Sequence, residues 1–130
     1  MNDAQWHTFF TTAAEVLGPG GRLAEHSQSW CSWTTFDRLS EDAGYWTRGL
    51  PDLADIFETY IGDNGVWGQP FHFSQLAHLI VPRKFMCDEP PGPNWTYRER
   101  VQNLEGLSAR LRGAEIPHRL TELVLELKCF

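Results

Sequence analysis

Residues 118–130 constrain the fold more than any other stretch of the chain. Leu123, Leu125, Leu127 and Cys129 recur at every second position, while Glu122, Glu126 and Lys128 point the other way. Side chains alternate between the two faces of a strand, so this pattern predicts a strand with one face on an apolar core and one in water. The cover for a sheet of that kind comes from amphipathic helices, and the spacing predicts three of them. The first spans 3–17, with Trp6, Phe9, Phe10, Ala13, Val16 and Leu17 on one stripe. Asn2 or Asp3 caps its start, and Gly18-Pro19-Gly20-Gly21 stops it. The second spans 51–61: Pro51 suits its first position, Leu53, Ile56, Phe57, Tyr60 and Ile61 form its stripe, and Gly62 closes it. The third spans 97–112, opened by the capping-box pattern Thr96-x-x-Glu99 and lined by Val101, Leu104, Leu107, Ser108 and Leu111.

Between the helices, residues 27–36 read as a strand with Trp30, Ser32, Thr34 and Phe36 on one face and Cys31, Trp33 and Thr35 on the other. Residues 66–73 read as extended, interrupted at Gly68 and Pro70; 74–81 fit either a short helix capped by Ser74 or, as the favoured reading, a buried strand over 76–81 before Pro82. Polar residues 37–47 read as a loop that holds Tyr45 and Trp46, and the proline-rich stretch 87–94 as an exposed one. The order is α-β-α-β-β-α-β. Its short connections favour antiparallel pairing over repeated βαβ units. The expectation is a single α+β domain over 1–130, with about three helices packed on a small, mainly antiparallel sheet.

Composition narrows the function classes. The 130 residues are 42% hydrophobic, enough for a real core, and eleven Lys and Arg against seventeen Asp and Glu leave a net charge of -6. An acidic chain lacks the basic footprint of nucleic-acid or anionic-membrane binding. Three cysteines are too few and too uneven for a disulfide scaffold, and no apolar run approaches the roughly 20 residues of a membrane span, so the expected compartment is the cytoplasm.

Chemistry-bearing patterns are sparse. His7, His26, His72, His78 and His118 form no HxxxH pair, and no CxxC pair is present, so no metal site is expected. Cys87 lies near Lys84, where a thiolate is favoured, but no local signature ties a His or Asn to it. Gly18-Pro19-Gly20-Gly21-Arg22 follows a helix instead of a strand and lacks the Lys-Ser/Thr ending of a phosphate loop. No catalytic residue and no cofactor are expected, and the chain reads as a non-enzyme.

The charge distribution is more informative. Residues 37–63 hold seven acids against Arg38 and Arg48, whereas 94–130 hold six basic and five acidic residues. A concentrated acidic patch steers a basic partner, and aromatics in a polar loop are the anchors that interfaces use. The expected partner-binding residues are Glu41, Asp42, Tyr45, Trp46, Asp52 and Asp55.

The run from Phe71 through His72-Phe73-Ser74-Gln75-Leu76-Ala77-His78-Leu79-Ile80-Val81-Pro82 to Phe85, with Leu104-Glu105-Gly106-Leu107 and the stretch from His118 to Lys128, resembles small bacterial immunity proteins of polymorphic toxin systems. The resemblance implies a cytoplasmic protein that binds and neutralises one cognate toxin by occluding its active site. A toxin acting on nucleic acid or nucleotides, such as a nuclease, carries a basic cleft that an acidic patch can fill. The alternative is a small-ligand-binding domain or small enzyme with an aromatic pocket built from Trp30, Trp33, Trp67 and Phe71.

Overall fold

In the computed structural model, which describes residues 1–89 and 96–130, α1 (Asp3–Leu17) forms as its spacing predicts. The Asn2 side chain accepts the Gln5 N–H and the Gln5 side chain accepts the Asn2 N–H, so two of the helix's unpaired donors are satisfied reciprocally. Its buried stripe of Trp6, Phe9, Phe10, Ala13 and Leu17 lies on one continuous core. The central sheet has five strands, all antiparallel, in the order β2 (Trp46–Arg48), β1 (Cys31–Thr35), β5 (Leu76–Pro82), β9 (Val124–Lys128), β8 (Arg119–Leu120). Two short ribbons stand beside it: β3 (Tyr60–Ile61) with β4 (Phe71–His72), and β6 (Lys84–Glu89) with β7 (Thr96–Val101). With α2 (Phe36–Glu41) and α3 (Leu104–Gly113), the chain is α+β, three helices on a mainly antiparallel sheet.

Register fixes what each face of the sheet carries. Leu79 lies opposite both Trp33 and Leu127, and Val81 opposite Leu125, so one face is apolar and buried against the helices. His78, Ile80, Glu126 and Lys128 take the alternate positions and face the other way. On the inner side the rings of Trp33 and Trp67 stack 3.7 Å apart at 8°, with Phe71 edge-on to both. Phe10 links this cluster to α1 through Trp67 and Phe73.

Several expected elements differ. No α-helix spans 51–61. A single 3-10 turn, Leu53–Asp55, is followed by a reversal in which Phe57 N–H donates to Tyr60 O, and the chain then pairs as β3. An eleven-residue helix is marginal by itself. Pairing Ile61 with Phe71 buries Ile56 and Ile61 and leaves Leu53 and Phe57 exposed, which a single helical stripe does not permit. The third helix begins at Leu104 instead of 97. Asn103 accepts the Gly106 N–H as its cap, and the Thr96-x-x-Glu99 stretch is strand β7, with Val101 exposed. Residues 37–47 contain α2, capped by Thr35 Oγ1 accepting the Arg38 N–H, and the first residues of β2. The strand expected over 27–36 is confined to Cys31–Thr35, and within 66–73 only Phe71–His72 is strand. Leu123 sits in the turn between β8 and β9 and is exposed, whereas Leu125 and Leu127 are buried as the alternation predicts. In the expected loop over 87–94, Cys87 is a buried position of β6, and residues 90–95 lie outside the described residues.

Candidate functional site

The acidic residues named from sequence fall on two stretches of backbone. Glu41 and Asp42, both exposed, end α2. Asp42 Oδ1 accepts the Gly44 N–H at 2.8 Å and faces Arg38 at 3.7 Å, an arrangement that holds the turn where Ala43 takes a positive φ of 54°. Trp46 turns inward. It is half-buried, stacked on Trp33 and edge-on to Phe71, and the Arg38 guanidinium covers its ring at 4.0 Å. Tyr45, one residue earlier, faces the opposite side of the sheet.

Asp52 precedes the Leu53–Asp55 turn and Asp55 ends it, and both are half-buried. Burial, followed by the negative charge of Asp55, holds the Asp52 carboxyl above its ordinary value, and the Gly20 backbone opposes this in part. The same turn displays Leu53 at 56% exposure and Phe57 at 44%, with Glu58 and Asp63 exposed beside them. Phe57 is stacked on Tyr60 (4.8 Å, 10°), and Tyr60 leans on His72. Leu53 and Phe57 thus form an exposed apolar knuckle on a stretch that also carries Asp52, Asp55, Glu58 and Asp63. Sequence periodicity assigned Leu53 and Phe57 to a core stripe, so this knuckle was invisible to it.

The open face of the sheet carries a second polar array. Tyr45 Oη and His78 Nδ1 are 2.8 Å apart, His78 Nε2 and Glu126 Oε2 are 2.8 Å apart, and Arg119 stands 3.7 Å from Glu126. Nδ1 and Nε2 of His78 thus each lie at hydrogen-bond distance from a side-chain partner. Both ring nitrogens are then engaged. His118 is similarly committed, through Ser108 Oγ at 2.7 Å and Ile116 O at 2.8 Å. A concavity of about 400 Å³ beside this array is lined by Pro117, His118, Arg119, Glu126, Lys128 and Phe130. No local sequence pattern signals this array, which depends on how β1, β2, β5 and β9 pair.

Trp33, Trp67 and Phe71 pack on each other in the core, while Trp30 stacks on Phe85 of β6, so these four side chains fill space instead of lining a common pocket. Cys31 is fully buried, and desolvation pushes its thiol far above the ordinary range. Among the described residues no group of three or more His, Cys, Asp or Glu is placed to hold a metal ion, and no helix is long and apolar enough to cross a membrane. No protein-family model, curated protein or solved structure matches the chain.

Proposed function

We propose that the chain is an immunity protein: a stoichiometric inhibitor that binds a cognate secreted bacterial toxin in the cytoplasm and occludes its active site. The observation that carries this reading is the knuckle of residues 52–63, where exposed Leu53 and Phe57 stand among Asp52, Asp55, Glu58 and Asp63. Solvent-exposed aromatics held by stacking lose little entropy on docking, and that favours their use as anchors. The surrounding carboxylates select a basic cleft, of the kind a nuclease uses to hold phosphates, and speed the encounter with it. Glu41 and Asp42 are exposed at the end of α2, on a separate stretch of backbone, and Tyr45 stands on the open face of the sheet against His78.

The test is binding kinetics against the cognate toxin. Phe57→Ala is expected to speed dissociation by an amount typical of an aromatic hot spot, about 2 kcal/mol or roughly 30-fold. Asp55→Lys with Glu58→Lys is expected to slow association and flatten its salt dependence, because charges at an interface rim act on the encounter. Unchanged rates in both variants would move the interface elsewhere and remove the observation on which the reading rests.

A further inference from the structure

Arg22, from the loop after α1, and Arg48, at the end of β2, converge on one concavity of about 270 Å³ whose other walls are Trp46, Trp67, Gly68 and Gln69. Each guanidinium is fixed by the neighbouring backbone: Arg48 Nη1 donates to Val66 O at 3.0 Å and Arg22 Nη2 to Gly65 O at 3.2 Å. A β-carbon on Gly68 would lie 3.0 Å from Arg48 Nη1 and 3.8 Å from Arg22 Nη2, which places those two nitrogens within about 7 Å of each other. Gly68 has a φ of +76°, and its missing side chain leaves the space between the two cations open.

Among the described residues neither arginine makes an ion pair, although the chain carries seventeen acids against eleven bases. Two like charges held this close repel unless an anion lies between them. Each guanidinium has five N–H donors and gives one to a carbonyl, so most of the donor fork on each side is uncommitted. The Trp67 N–H is already donated to Gly49 O at 3.1 Å, so that ring contributes apolar surface to the wall.

We propose that this cleft is a binding site for a phosphate group carried by a small molecule. Two separate forks match an oxyanion with three free oxygens and two charges better than they match a single carboxylate. The volume holds the anion and the first atoms of its carrier, with Trp46 and Trp67 as the apolar wall for those atoms. The site is independent of the inhibitor role: it needs no partner protein, and either reading can fail alone.

Inorganic phosphate is titrated into the full chain at constant ionic strength made up with chloride, read by tryptophan fluorescence and by the melting temperature. The expected result is a saturable fluorescence change and a rising melting temperature, with acetate weaker than phosphate. Arg22→Gln, at an exposed position, is expected to weaken phosphate binding by about tenfold or more, and Arg48→Lys similarly, because a point charge does not replace a fork. Reading Arg22→Gln and Arg48→Lys separately keeps the test valid if one of them perturbs folding. A linear, non-saturating response of the unaltered chain, affinity unchanged from the parent in both variants, or tighter binding of acetate than of phosphate would overturn the assignment.

Discussion

Leu123 and Leu127 occupy the same alternating row in the sequence, and the structure separates them completely. Leu127 is 1% exposed and lies opposite the fully buried Leu79 in the register of β9 on β5. Leu123 is 78% exposed in the preceding turn. Truncating Leu127 to Ala forfeits a transfer free energy of about 1.5–3 kcal/mol and leaves a cavity in the core beneath the sheet, for a total of about 2–5 kcal/mol. In a chain of this length that lowers the melting temperature by about 10–20 °C. Truncating Leu123 removes no buried surface, and the bonds at that residue are all backbone: its N–H donates to Thr121 Oγ1 and its O accepts the Arg83 N–H. Leu123→Ala is therefore expected to stay within about 0.5 kcal/mol of the parent. Urea and thermal unfolding followed by circular dichroism separate the two. Equal losses would mean that the strand starts earlier and carries Leu123 inward. A harmless Leu127→Ala would mean that β9 is a frayed terminus.

Gln102, 3% exposed, ties β7 to the sheet: Oε1 accepts the Trp30 N–H, and Nε2 donates to Trp30 O and Pro82 O. Gln102→Leu keeps the volume but strands these groups, so a loss of about 2–4 kcal/mol is expected by urea unfolding, with earlier hydrogen exchange in β6 and β7. Asp52 holds its proton more tightly folded than unfolded, so its contribution falls as pH rises from 3.8 through its raised value and the penalty persists above that. Asp52→Asn is accordingly expected to melt higher than the parent at neutral pH, with the difference vanishing below pH 3.8; a difference independent of pH would assign the effect to something other than the charge.

Local signals carried α1, β5 and the buried row of β9 because each lies where tertiary pairing agrees with local preference. The Asn2 cap, the glycine stop and the apolar run of β5 are all visible in the residues themselves. Residues 51–61 misled because Leu53, Ile56, Phe57, Tyr60 and Ile61 have helical spacing, yet pairing with Phe71 and His72 decides their fate, and that partner is remote in sequence. Thr96-x-x-Glu99 misled for the same reason, since pairing with β6 takes up that stretch. The candidate site shows the consequence. Asp52 and Asp55 stand out from charge alone, while the exposure of Leu53 and Phe57 beside them is hidden by the helical reading. Tyr45 meets His78 because β1 pairs with both β2 and β5, a relation that no local pattern encodes.

The most direct test of the inhibitor role is a titration of the cognate toxin's activity with the purified protein, alongside Phe57→Asp with its melting temperature checked. Stoichiometric occlusion predicts a linear loss of activity to an end point at one equivalent. It also predicts that the folded Phe57→Asp variant, whose exposed ring is replaced by a further carboxylate, needs a large excess. Complete inactivation at a small fraction of an equivalent would indicate turnover by an enzyme, and full toxin activity at excess protein would contradict the account.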